Sequence, residues 1–257
     1  MTAVAAVIDL SEKVFVVTGA NSGLGLGIAR GLARAGGAVA VWSRRQDRNA
    51  EAVEALRALG ARAEAIYCDV GEEESVVEAM TCTLSHFGRI DGLVANAGTA
   101  GRAPFVEMTL NEWDRVMKTN LQGAFLTLRE ASRVLVDQGE GGALVGVSST
   151  SSIHGAPGQQ HYAASKTAVL AMMRSLAVEL ARFGIRCNSL IPGWTETEMT
   201  EQARQHEKFL SNTTKRTPLR RWATPADFET IGAFLCDPSI PFHTGDALVV
   251  DGGYTVF

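Results

Sequence analysis

The chain has four cysteines, Cys68, Cys82, Cys187 and Cys236, which lie far apart and form no CxxC pair. That spacing suits neither a zinc site nor a disulfide framework, so it implies no metal and a reducing, cytoplasmic setting. No apolar run approaches the ~18 residues of a membrane span. Residues 1–8 are apolar, but nothing basic precedes them and Asp9 follows, the reverse of a leader's flanks. An excess of one charge is missing too. Lys and Arg number 24 against 28 Asp and Glu, a net charge of −4, which argues against a nucleic-acid binder. Proline is scarce, 7 against 26 glycines, and no low-complexity or Pro/Ser-rich tract marks a linker. The histidines, His86, His154, His161, His206 and His243, form no metal-like cluster, and most read as solvated.

What is present is a core. Hydrophobic residues make up 46% of the 257 and charged residues 20%, enough for a single domain over residues 1–257. Short β-rich runs alternate with helical stretches almost throughout. Val14–Val17, Ala38–Trp42, Ala63–Tyr67, Leu93–Ala95, Ala143–Val147, Arg186–Ile191 and Ala247–Val250 read as strands covered on both faces. Ala50–Leu59, Ser75–Phe87, Trp113–Val136 and Tyr162–Phe183 carry apolar residues at helical spacing. Gly36-Gly37, Gly60, Gly88 and Gly184 read as helix stops. The alternation predicts a doubly wound α/β domain: about seven parallel strands, right-handed crossovers and helices on both faces. Residues 194–224 are polar and poor in strand signal. After a strand, at the carboxyl edge of a sheet, they would form a lid over a ligand.

The first strand runs into Thr18-Gly19-Ala20-Asn21-Ser22-Gly23-Leu24-Gly25, and a helix pattern starts at once. Small residues there let the backbone approach a pyrophosphate, and a helix N-terminus supplies free N–H groups. The spacing is neither G-x-G-x-x-G nor a Walker A loop. The chain nevertheless resembles the short-chain dehydrogenase/reductase family. Its Thr-Gly-x-x-x-Gly-x-Gly loop, Asn96-Ala97-Gly98, Asn120, Ser149, Tyr162-x-x-x-Lys166 and Pro192-Gly193 fall in that family's order between Lys13 and Gly253. The resemblance implies a Rossmann-type fold and an NAD(P)-dependent oxidoreductase interconverting a secondary alcohol and a ketone. Gly19, Asn21, Ser22, Gly23, Leu24 and Gly25 would line the cofactor, with Asp69-Val70 at the adenine and Asn96, Ala97 and Gly98 along the loop. Pro192, Gly193, Thr195 and Thr197 would hold the carboxamide. The second strand ends in Ser43-Arg44-Arg45, where an acidic residue would bind the ribose of NAD. Arginine forks suit a 2′-phosphate instead, so NADP(H) is favoured over NAD(H); Asp47 comes two residues late.

Tyr162 and Lys166 are i and i+4 on a helical run and share a face. An ammonium beside the phenol favours tyrosinate. A charge ~4 Å away at an effective dielectric of ~20 supplies about 4 kcal/mol before any cost of burying the pair, so the lysine together with an oxidised nicotinamide's charge can reach a two- to three-unit shift. By the resemblance, Ser149 holds the substrate oxygen while Tyr162 exchanges the proton. Strand alternation turns Ser148 the opposite way. Asn120 would kink its helix and hold a water beside the lysine; a helix N-cap is the plainer reading. Ser151, His154 and Gln159 suit a hydroxylated substrate of sugar or polyol type, or a small keto compound, while Trp194 and Met199 suit apolar groups. The alternative substrate by resemblance is a 3-oxoacyl-acyl-carrier protein; such reductases of the family place arginines near the entrance, where this chain has Phe183 and Glu140, with Arg182 adjacent. The basic group Lys215, Arg216, Arg220 and Arg221 reads as a solvated face. A non-catalytic nucleotide sensor or scaffold would be expected to lack Ser149, Tyr162 or Lys166, and all are present. The tail Asp251-Gly252-Gly253-Tyr254 resembles that of family tetramers, with Leu121–Val136 and Tyr162–Phe183 pairing across a two-fold axis.

Overall fold

The computed structural model describes residues 8–257; residues 1–7, nearly all of the apolar start, lie outside it. Seven strands form one all-parallel sheet in the order β3-β2-β1-β4-β5-β6-β7. They are β1 Val14–Thr18, β2 Ala38–Ser43, β3 Ala63–Tyr67, β4 Gly92–Ala95, β5 Gly142–Val147, β6 Ile185–Pro192 and β7 Ala247–Val250. Period-two alternation sorts each central strand between two cores. Val14 and Val16 face the cluster that includes Leu128, Val169 and Met173. Phe15 and Val17 face the one built on Ile28, Leu32, Phe228 and Leu235. One face is therefore covered by α3 Glu73–Phe87, α5 Gly123–Gln138 and α6 Gln160–Leu180. The other is covered by α1 Gly23–Arg34, α2 Gln46–Arg57 and α9 Glu229–Cys236. Gly36, Gly60, Gly88 and Gly184 do end helical segments with positive φ.

Two expectations need correcting. Strands β3 and β7 are the edges, not strands covered on both faces: burial alternates along β3, where Tyr67 is 53% exposed, and β7 has no fully buried residue, with Val249 40% exposed. The helix expected over Trp113–Val136 is α4 Leu110–Met117, a π-helical turn at Lys118–Gln122, and then α5. Periodicity could not reveal this, because the switch in hydrogen bonding keeps the apolar face.

Order reverses between β1 and β4, so their carboxyl ends open a crevice. Beyond β6, residues 194–224 hold α7 Glu201–Arg204 and α8 Glu207–Arg216. This excursion has its own aromatic core. Trp194 stacks on Trp222 at 5.0 Å, and Phe209 meets Trp194 edge-on at 5.1 Å. Its two ends touch: Thr195 bridges to Ala223, and the Ala223 N–H donates to the Trp194 carbonyl at 2.8 Å.

Candidate active site

The glycine loop spans the end of β1 and the start of α1, where three positions exclude a side chain. Gly19 and Gly23 have φ of +66° and +52°, and a Cβ on Gly25 would strike the Asn96 amide and the Gly19 carbonyl. A Cβ on Gly23 would come within 3.1 Å of Thr197, so the start of the lid lies directly over the loop. The loop is held from below. The Thr18 hydroxyl accepts from the Asn96 and Ala97 N–H groups, both at 2.9 Å, and the Asn96 amide donates to the Thr18 carbonyl. Asn21 is buried and donates to Ser43 at 2.5 Å and to Asn49 at 3.0 Å. The side chains of Asn21, Ser43 and Asn96 thus pin the loop to β2 and β4. Asn49, the anchor of this network, was invisible in the sequence, where nothing separates it from other polar helix residues.

Both arginines after β2 reach the crevice rim. Arg45 donates to the Ser22 hydroxyl at 3.0 Å and pairs with Glu198 of the lid at 2.9 Å. Arg44 pairs with Asp69 at 3.5 Å, while Asp69 also accepts from the Gly71 N–H. Val70 is buried beneath. Arg48 also contacts Glu198. Nothing in the sequence had singled out Glu198, which is distant in the chain and unremarkable in the lid.

Below the crevice, β5 and α6 set the second half of the site. Ser148 points inward and donates to the Lys166 carbonyl at 2.8 Å, whereas Ser149 caps the 3₁₀ turn Thr150–Ser152, accepting from the Ser151 N–H. The alternation expected for the two hydroxyls holds. Lys166 is buried, and its ammonium donates to the Val147 carbonyl at 2.9 Å, 5.8 Å from the Tyr162 ring centre. Burial lowers its pKa to about 8. Burial also raises that of Tyr162, while a side-chain hydrogen bond with Ser149 pulls it down. Desolvation is the larger of these two effects on Tyr162, so the fold without a bound nicotinamide favours the neutral phenol.

Asn120 occupies the π-turn and is 1% exposed. Its side chain accepts from the Thr99 N–H at 2.7 Å and donates to the Thr99 carbonyl and Ser165. It is not an N-cap, because helix continues on both sides through the π-turn. A Cβ on Gly98 would lie 3.3 Å from the Asn120 oxygen and 3.4 Å from the Lys166 nitrogen, so three separated segments converge there.

Pro192 ends β6, and a Cβ on Gly193 would collide with Asp251. Thr195 donates to the Gly193 carbonyl, and Thr197 caps the next turn. Trp194 is committed to the lid's aromatic core rather than projecting freely. His154 meets Tyr254 edge-on at 6.1 Å. Two other readings change. His161 is fully buried beside Glu112 rather than solvated. Arg221 and Arg216 are engaged with Asp227 and the Tyr254 ring rather than forming a free basic face.

A parallel sheet with this strand order, a glycine cradle at its switch point and a tyrosine and lysine one helical turn apart define a class of nucleotide-dependent enzyme. A family model described as enoyl-(acyl carrier protein) reductase matches residues 19–255. The chain is 36% identical to an L-rhamnose 1-dehydrogenase (NAD(P)(+)) of Sphingomonas sp. (strain SKA58), over 96% of this chain and 98% of that one. It is 34% identical to a gluconate 5-dehydrogenase of Gluconobacter oxydans (strain 621H), over 96% of both. The solved gluconate 5-dehydrogenase from Burkholderia cenocepacia J2315, in complex with NADP and tartrate, superposes with a TM-score of 0.92. It is 32% identical, with 97% of this chain and 98% of that chain covered. The chain belongs to the short-chain dehydrogenase/reductase family. It is an NAD(P)-dependent oxidoreductase acting on a secondary alcohol or ketone.

Proposed function

We propose that the protein is an NADP(H)-preferring dehydrogenase of a small polyhydroxylated substrate, with Tyr162 as its acid/base group. The observation that carries this reading is the convergence of Ser149, Tyr162 and buried Lys166 at the carboxyl end of β5. The cradle fits a dinucleotide, since added Cβ atoms at Gly19, Gly23 and Gly25 would fill or strain it. Ser22, Leu24 and the loop N–H groups would meet the pyrophosphate, Asp69 and Val70 the adenine, and Thr195 and Thr197 the carboxamide end. When bound, the nicotinamide supplies the hydride acceptor or donor and, oxidised, a positive charge. In reduction the Tyr162 phenol donates its proton to the carbonyl oxygen held by Ser149. In oxidation the phenolate accepts the alcohol proton, and the Lys166 ammonium stabilises it. Asn120 is a positioning residue, since its amide is used up on Thr99 and Ser165.

Arg44 and Arg45 support NADP(H), because guanidinium forks beside Ser22 suit a 2′-phosphate. Ser151, His154 and Gln159 near Ser149 support a hydroxylated substrate. A carrier-protein substrate is less well supported: Glu140, engaged with Arg89, would repel an acidic carrier. The same reading takes the protein to be cytoplasmic and tetrameric; among the described residues no helix is long and apolar enough to cross a membrane.

Tyr162→Phe tests the reading. The phenyl ring keeps the bulk and loses the ionisable oxygen, so folding and NADPH binding should persist. Turnover of a competent alcohol or ketone should fall by at least ~10²–10⁴-fold. Full turnover by a folded, NADPH-binding Tyr162→Phe protein would defeat the mechanism. Lys166→Ala should damage both rate and cofactor affinity.

A further inference from the structure

Most arginines near the crevice already have a carboxylate: Arg44 with Asp69, Arg45 and Arg48 with Glu198, Arg204 with Glu196, Arg115 with Glu112. Arg216, the last residue of α8, pairs with no carboxylate among the described residues. Its guanidinium instead lies over the Tyr254 ring, 4.2 Å from the centre, and donates to the Tyr254 hydroxyl at 3.4 Å. A second neighbour of that ring is His154, edge-on at 6.1 Å, whose Nε2 is buried and has no hydrogen-bond partner among the described residues. His154 follows the turn capped by Ser149, and its N–H donates to the Thr150 carbonyl at 2.9 Å. A cation and an unsatisfied ring nitrogen thus flank one tyrosine, a few residues from the hydroxyl assigned to the substrate oxygen.

The cluster is built, not incidental. Asp251 accepts from the Gly253 and Thr255 N–H groups at 2.8 and 2.7 Å, which folds the tail into a tight turn. Cβ atoms on Gly252 and Gly253 would press on Thr217 and Pro218, so the tail lies flush against the chain leaving α8. The Leu219 N–H donates to the Gly252 carbonyl. Tyr254 and Arg216 are therefore held to each other by backbone on both sides. Stacking fixes the planar guanidinium while leaving N–H groups at its edge to donate, the geometry that recognises a carboxylate in two parallel bonds. A buried polar atom without a partner costs free energy unless a ligand satisfies it.

We propose that Arg216, with Tyr254 and His154, forms a carboxylate subsite, so that the substrate is a hydroxy acid or keto acid carrying its carboxylate at the end remote from the reacting carbon. This rests on the function proposed above and narrows its substrate class from polyhydroxylated compounds in general to anionic ones. Arg216 anchors the carboxylate, Tyr254 positions Arg216, and His154 bonds a carboxylate or neighbouring hydroxyl oxygen.

The probes are D-gluconate and its uncharged counterpart D-sorbitol, titrated calorimetrically into the protein saturated with NADPH. Gluconate should bind at least tenfold more tightly than sorbitol. Arg216→Gln should erase the difference by weakening gluconate alone, with NADPH affinity unchanged. Tyr254→Phe, which keeps the ring beneath the guanidinium, should weaken gluconate only a few-fold, whereas Tyr254→Ala should resemble Arg216→Gln. Absence of gluconate binding, or a preference that survives in Arg216→Gln, would overturn the subsite. Those results would leave the oxidoreductase reading standing, since it fails only if NADPH does not bind or Tyr162 proves dispensable.

Discussion

At Lys166 burial works against charge, and the conflict can be measured. Its pKa falls to about 8 in the fold, against an ordinary lysine value of 10.5. Below pH 8 the protein holds a buried ammonium; between 8 and about 10.5 the unfolded chain binds that proton and the folded chain does not. Stability contributed at this residue therefore rises with pH across that window, by at most about 1.4 kcal/mol per unit. Denaturant melts of the protein and of Lys166→Met should diverge in favour of the protein from pH 8 to 10; parallel curves would show an unshifted lysine. The cofactor arginines make a second residue-scale prediction. NADPH should bind more tightly than NADH, and Arg44→Asp should shrink that preference by about tenfold, the scale of one charge-assisted hydrogen bond. Equal affinities in the unaltered protein would remove the 2′-phosphate reading. Ser149, Tyr162 and Lys166 were legible in the sequence because family spacing marks them. Asn49, Glu198 and the Arg216–Tyr254 stack were not, since each works through a partner far away in the chain.

Helix α1 owes its position to glycines that the loop motif does not include. Gly27 and Gly31 are one turn apart, and a Cβ on either would run into the Pro225 or Glu229 backbone at the start of α9. The two helices meet backbone to backbone, so neither can give way as a flexible side chain would. Gly31→Ala should destabilise the protein by about 3 kcal/mol despite the better helix propensity of alanine, the upper end of the usual cost of overpacking. Gly60→Ala, at φ +89° but with open space around its Cβ, separates strain from collision. Thermal melts should place Gly31→Ala below Gly60→Ala; the reverse order would deny the helix contact. Strands were the most legible elements, because double-sided burial makes β1, β2, β4 and β5 almost wholly apolar; β6 is buried too but carries Arg186, Asn188 and Ser189. The break at Lys118–Gln122 was hidden because Thr99 and Ser165, not local pattern, dictate where Asn120 sits.

On the scale of the whole molecule, α5 and α6 leave an apolar face without a neighbour among the described residues. A groove of about 530 Å³ between them is lined by Phe125, Leu128, Met172, Leu176 and Phe183, and Val178 is 84% exposed nearby. Such a face is a natural two-fold contact. Light scattering should give about four times the chain mass, and a clean monomer would end the tetramer proposal. Fold class was readable from the alternation of strands and helices. Assembly was read only by resemblance, because surface residues obey no periodicity that names their partner.

The contact between Thr195 and Ala223 also bears on how this protein could change over time. A segment whose two ends already touch can be lengthened, shortened or replaced with little disturbance to the frame that carries it, since closing the gap adds only a slowly growing entropic term. Residues 196–222 form such a cassette, closed by Trp222 stacking on Trp194 just before it. Selection for a new metabolite could act on the part beyond Glu198, leaving Thr197 over the glycine loop and the Glu198–Arg45 pair in place, and a graft that keeps these two residues is the natural way to exchange specificity between relatives.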